Sequence, residues 1–266
     1  MTPHRLLPAL LALLIPLATQ AQPAAPAAPA HLAFAVYAAG LNVMVVDSKV
    51  DIGRDDYRID LSYRSAGVFG TLFPVQISSF VQGSWAGGKA TPLRFASWGT
   101  ARGNERRITL DYEGGQPVIR TLVPATESDR DPVPAAMQRD TVDTLSAMAV
   151  LVRTVAQTGT CDGTVRIFDG RRVLETESRT IGTEMLRPDY RSTYNGRALR
   201  CDMRGRQLAG FQHDADEAEI RRVHVSQAWI AQVVPGQPAL PVRIVFETRF
   251  FGAATAYLTE MGPAQR

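Results

Sequence analysis

Apolar and polar positions alternate along most of the chain. In 57–64, Tyr57, Ile59, Leu61 and Tyr63 point one way, and Arg58, Asp60, Ser62 and Arg64 point the other. That is the period of two of a half-buried strand. Segments 31–39 and 41–50 read as two strands joined tightly at Gly40, with Phe34, Val36, Val43 and Val45 available for a core. Segments 75–85, 93–99, 106–112 and 118–123 continue the series, with Gly87-Gly88 and Gly114-Gly115 as hairpin turns. Segment 67–74 breaks the alternation and predicts a short helical turn.

One segment has a different period. In 140–157, Val142, Leu145, Met148, Ala149, Val152 and Val155 recur at three- and four-residue steps, which predicts a helix. Asp140 or Thr141 can cap its start and Gly159 can end it. Ala147, Val150 and Leu151 add apolar residues to the other side, so this helix is expected to be enclosed by sheet, with Met148 and Val152 on its most buried stripe. Strands then resume at 163–168, 172–179, 185–202, 208–213, 220–233, 242–251 and 254–259. Asp169-Gly170 and Asn195-Gly196 are hairpin turns. The order of strands, one helix and strands predicts a mainly β domain. Its architecture is an antiparallel curved sheet or partly closed barrel wrapped around one buried helix.

The N-terminal stretch carries an address. His4 and Arg5 precede a 6–18 run, LLPALLALLIPLA, followed by small residues at Thr19 and Ala21. This pattern reads as a secretory signal cleaved after Ala21. The run is shorter than the roughly 20 apolar residues a membrane span needs, and Pro8 and Pro16 interrupt it. Residues 1–21 are thus the signal, 22–30 (QPAAPAAPA) an extended Ala/Pro tether, and 31–260 a single β-rich domain. The expected location is the periplasm, with no integral span after cleavage.

Composition changes this picture little. With 266 residues, 45% of them hydrophobic and 21% charged, the chain is an ordinary folded one. A formal charge of +3 argues against nucleic acid as a partner. Cys161 and Cys201 are the only cysteines, and in an exported chain an even pair suggests a disulfide. Two free buried thiols or two metal ligands are the alternatives.

Several motifs then resemble a known family. They are Thr141-Val-Asp-Thr-Leu-Ser-Ala-Met148, Gly159-Thr-Cys161, Val165-Arg-Ile-Phe-Asp-Gly-Arg-Arg172, Tyr194-Asn-Gly196 and Cys201. Together with Tyr37-Ala-Ala-Gly-Leu41 and the 67–74 segment, they resemble the exported proteobacterial family called domain of unknown function 3108, over about 31–251. The resemblance implies a periplasmic β-rich protein and brings no catalytic residues. That family usually has Pro after the Asp of the helix-start motif, where this chain has Thr144. A threonine is tolerated in a first helical turn.

Catalytic chemistry finds little support. There is no Gly-x-Ser-x-Gly elbow, and Ser146 lies inside the predicted helix. The acidic run from His213 to Glu217, with His224, lacks paired ligand spacing and reads as a solvated loop rather than a metal site. Arg102, Arg106 and Arg107, the Arg171-Arg172 pair and the Arg221-Arg222 pair could bind anions or simply protect strand edges. No catalytic residue, metal or cofactor is therefore assigned. A helix rich in Leu, Met and Val inside a curved sheet could instead leave an apolar pocket, with Met148, Val152, Tyr57 and Tyr63 as candidate contacts for a lipid or other amphiphilic envelope component. The other readings are an assembly protein that offers a sheet edge to a partner, as yet unidentified, and, less favoured, an envelope hydrolase. N-terminal sequencing of the natively exported protein is expected to begin at Gln22; an intact Met1 would overturn the signal.

Overall fold

A computed structural model describes residues 28–125, 130–248 and 252–264. The expected signal and most of the tether lie outside the described residues. The chain enters at the centre of its sheet. Strand β1 (Ala30–Ala38) leads through β2 (Leu41–Ile52) and β3 (Asp56–Ser65) to the short helix α1 (Gly67–Leu72). Strands β4 (Val75–Ala86), β5 (Lys89–Ala101), β6 (Asn104–Glu113) and β7 (Gln116–Val123) follow. Each of these strands pairs antiparallel with the one before it. Four of the hairpins close through two residues with positive φ: Ala39-Gly40, Gly87-Gly88, Arg102-Gly103 and Gly114-Gly115. These are the mirror-image turns that suit the right-handed twist of paired strands.

The chain then crosses over through α2 (Ala135–Gln138) and α3 (Thr144–Thr158). It re-enters the sheet at β8 (Gly163–Phe168), which begins a second meander through β9 (Val173–Leu186) and β10 (Gly196–Ala209). A short turn, α4 (Glu217–Ile220), precedes β11 (Val223–Ala231), β12 (Leu240–Thr248) and β13 (Gly252–Pro263). Strand β13 pairs with β1, so the two meanders meet in the middle, and β7 and β8 are the two edges. The result is one 13-stranded antiparallel sheet rolled into a nearly closed barrel.

The two edges come together around the start of α3. Val142 N donates to Arg166 O at 2.9 Å, and Phe168 N donates to Val142 O at 2.8 Å. This short parallel bridge occupies part of the outer edge of β8. The β8–β9 turn packs against β6 and β7 so closely that a Cβ on Gly170 would stand 1.8 Å from Ile108 Cδ1. Arg171 also donates to the carbonyl of Pro124, just past β7.

The inner face is continuous apolar packing. Leu32, Ile59, Leu110, Phe168, Leu240 and Leu258 are fully enclosed, and Leu145, Ala149 and Val152 of α3 join the same core. Several expectations need correction. The helix is capped by Asp143, not by Asp140 or Thr141, because Val142 is engaged in the bridge to β8. It is buried along one face only: Met148, Val150, Leu151 and Thr154 are half-buried, and Gln157 and Thr158 are exposed. Met148 is therefore not on the most buried stripe. The predicted 185–202 strand is interrupted at 187–195, where the chain turns between β9 and β10. The 220–233 strand starts only at Val223, because Asp216 caps α4 through Glu219 N at 2.8 Å. At the other end of the chain, β1 starts within the expected tether, at Ala30, and Gln237 Nε2 donates to Ala28 O at 3.0 Å.

Cys161 and Cys201 form a disulfide across a separation of 40 residues. It ties the segment after α3 to β10, within a small second core that includes Val155 and Ile230. Loop-closure entropy for a link of this span contributes about 4 kcal/mol. Cys201→Ser is therefore expected to lower unfolding stability by about 2–5 kcal/mol, read from urea midpoints, and the unfolded oxidised parent should show no titratable thiol. Two reactive thiols, or an unchanged midpoint, would contradict this.

Candidate functional site

The start of α3 is held by a buried polar chain. Asp143 Oδ1 accepts from Leu145 N at 3.0 Å and from Ser146 N at 2.9 Å, which caps the helix. Ser146 Oγ donates to Asp143 Oδ2 at 2.6 Å. The serine's one proton is thereby used, so the Tyr57 hydroxyl, 2.8 Å from Ser146 Oγ, is the donor there. Asp143 and Ser146 are completely buried. Burial pushes the Asp143 carboxyl above the usual range, against the lowering effect of its hydrogen bonds. Burial likewise raises the hydroxyls of Tyr57 and Tyr112, and the nearby Asp143 charge adds to both.

Glycine makes this chain fit. Tyr57 pairs in register with Gly83 on β4, where a Cβ would lie 2.5 Å from the tyrosine ring. The ring crosses that gap to reach α3 and packs on Trp85 at 4.7 Å between centroids. The Arg153 guanidinium lies 4.2 Å from the centre of the Trp85 ring and donates to Arg54 O at 2.9 Å. Helix α3 is thus fastened at its start to β3 through Tyr57 and past its middle to β4 through Arg153 on Trp85.

Between these fastenings, Met148 lines two apolar spaces. The inner one is a 170 Å³ cavity walled by Phe34, Met44, Val50 and Leu61 of the first meander, Val152 of α3 and Phe246 of β12. The outer one is a 330 Å³ cleft beside Leu151, Val165, Ile167 and Met203. Met148, Pro241 and Ile244 line both. Two of those three sit on β12, and the third, Met148, is the flexible member of the shared wall.

The four residues named from the sequence are therefore divided. Met148 and Val152 line the inner cavity. Tyr57 does not, because its hydroxyl is committed to Ser146. Tyr63 borders a separate cleft with Asp47, Arg64 and Glu260. Pro241 and Ile244 were missed. Pro241 lies just outside the 242–251 strand expected from the sequence, and the pairing of Ile230 with Pro241 brings it into the sheet.

Other candidate groups have local partners. Among the described residues the hydrogen-bond partners of the Ser146 hydroxyl are Asp143 and Tyr57, and it serves the helix cap. His213 faces Asp131 at 3.6 Å, and Glu217 pairs with Arg221. Among the described residues no group of three His, Cys, Asp or Glu side chains converges as a metal site. Arg107 pairs with Glu105, Arg172 with Asp169 and Arg222 with Glu247. No helix among the described residues is long and apolar enough to cross a membrane.

An antiparallel, nearly closed barrel with apolar space beside one anchored helix defines a barrel-like class of protein. The same class is seen in a solved structure, a beta-barrel-like protein of domain of unknown function 1849 from Brucella abortus. It aligns with 91% of this chain and 100% of its own at a TM-score of 0.51, with 10% identity, and so supports the fold alone. No curated protein matches the chain. The model of the family described as Protein of unknown function (DUF3108) matches residues 33–259, and the chain belongs to that family.

The raised Asp143 carboxyl has a defined consequence. A folded-state value above the ordinary 3.8 means that the folded protein binds the proton more tightly than the unfolded chain does. This group's contribution to stability therefore falls as pH rises from about 3.8 through the folded value, and is level above it. Asp143→Asn keeps a cap acceptor without the charge. The parent's urea midpoint minus that of Asp143→Asn is expected to fall across this window and then flatten. A difference that is flat throughout, or that grows with pH, would contradict the raised value.

Proposed function

We propose that this protein is an exported, non-enzymatic carrier that holds an apolar or amphiphilic component of the cell envelope in the space beside α3. The single observation that carries the reading is the pair of apolar spaces meeting at Met148. Closely packed interiors rarely leave voids much larger than a water molecule. Spaces of 170 and 330 Å³ together reach the size range of small-molecule sites, about 300–1,000 Å³. The walls suit an alkyl chain, because the inner cavity is built almost wholly from aliphatic and aromatic side chains. The apolar run at 6–18 and the disulfide both fit an oxidising compartment outside the cytoplasm.

Action through a sheet edge is the second reading. Strand β7 is an edge whose Ile119 is 40% exposed. The β8 edge is partly occupied by Val142.

Two measurements separate a lined site from an ordinary core. Mass spectrometry of solvent extracts from the natively exported protein should detect a stoichiometric apolar molecule. In a filled core, Met148→Ala would cost about 2–5 kcal/mol. Beside existing space the expected loss is smaller than that range, because fewer packing contacts are removed, while retention of the extracted molecule changes. A large stability loss with no molecule extracted from either protein would overturn the carrier reading and favour the edge.

A further inference from the structure

The outer apolar cleft does not end in solvent alone. Across Val150 and Thr154 of α3 and Thr164 and Val165 of β8 it adjoins a third space of 470 Å³, which those four residues also line. The chemistry of that space differs. Lys89 of the β4–β5 hairpin, Arg153 of α3 and Arg166 of β8 reach its wall, against one carboxylate, Asp140. Among the described residues none of these three cations forms an ion pair. Arg153 is held by the carbonyls of Gly53 and Arg54 and by the Trp85 ring, and Arg166 by the carbonyl of Met137. The Nε atoms of both arginines are buried and have no hydrogen-bond partner.

Those Nε atoms are closed off from the space, but each guanidinium keeps a terminal nitrogen, Nη2 of Arg153 and Nη1 of Arg166, that makes no hydrogen bond among the described residues. Guanidinium and ammonium groups with free donors are suited to the oxygens of a phosphate or carboxylate. Shared walls also place the three spaces in order: an apolar cavity, Met148, an apolar cleft, then a basic chamber. Met148 and Thr154 are six residues apart, so α3 spans this series over about 9 Å of helix rise. We infer that the ligand is a single-chain amphiphile with an anionic head group. Its alkyl tail lies past Met148, and its phosphate or carboxylate rests among Lys89, Arg153 and Arg166. This rests on the carrier reading and adds to it the charge and position of the head.

The test uses delipidated full-length mature protein and three probes below their micellar concentrations. Dodecyl phosphate carries tail and anion, dodecyl maltoside carries the same tail without charge, and inorganic phosphate carries the anion alone. Dodecyl phosphate is expected to bind about tenfold or more tightly than either of the others by titration calorimetry. Lys89→Gln and Arg166→Gln should each reduce that advantage about threefold or more and leave maltoside binding unchanged. Lys89 is exposed on a hairpin, so its variant reports even where Arg166→Gln does not fold. Equal binding of the two amphiphiles would overturn the anionic head and leave the carrier reading standing. Binding of neither amphiphile would overturn both. Inorganic phosphate binding as tightly as dodecyl phosphate would identify a free-anion site and overturn the amphiphile.

Discussion

The structure depends on how the two edges of one long sheet are brought together. Thirteen antiparallel strands in two meanders share only the β1–β13 pair at their centre. Left open, such a sheet would present two unpaired edges and an uncovered apolar face. The segment leading into α3 meets both needs. Val142 takes up backbone groups of β8, and the next residue, Asp143, caps the helix that covers the inner face. Asp143 also anchors Tyr57 of β3 through Ser146, so the crossover is tied to both meanders within four residues. A buried carboxylate is an expensive way to do this. The helix N-terminus and three hydrogen bonds offset much of that cost.

The apolar spaces lie along the same helix. Helix α3 is pinned at its start by the Asp143 chain and near its middle by Arg153 on Trp85. Both fastenings lie toward β3 and β4. Toward β12 the described residues make no hydrogen bond or ion pair to it, and there Met148 meets Pro241 and Ile244 with apolar space on either side. At its far end the helix is held as well, by Val155 packing with Ile230 and by the disulfide that follows it. The apolar spaces lie at the stretch between these fastenings.

Strand patterning was legible in the sequence because each strand has one face on the core and one in water, which imposes the period of two on segments such as 57–64. The paired-glycine turns were legible for the same local reason: only residues that tolerate positive φ fit there. The true start of α3 was not legible. Asp140, Thr141 and Asp143 are all competent caps, and the choice among them is made by Val142 bridging to Ile167 of β8, 25 residues later. Nor was the site fully legible. Met148 and Val152 declare themselves by helical spacing. Pro241, Ile244 and the basic trio come from four separate elements that only the closed sheet brings together.

The account stands or falls on whether the space beside Met148 is a ligand site or a packing gap. Co-crystallisation with 12-bromododecanoic acid tests this directly, because the anomalous bromine signal locates the end of the tail. The account predicts one strong peak in the inner cavity, between Val152 and Phe246 and past a displaced Met148 side chain. Bromine found only on the outer surface, with Met148 unmoved and the cavity empty, would contradict it.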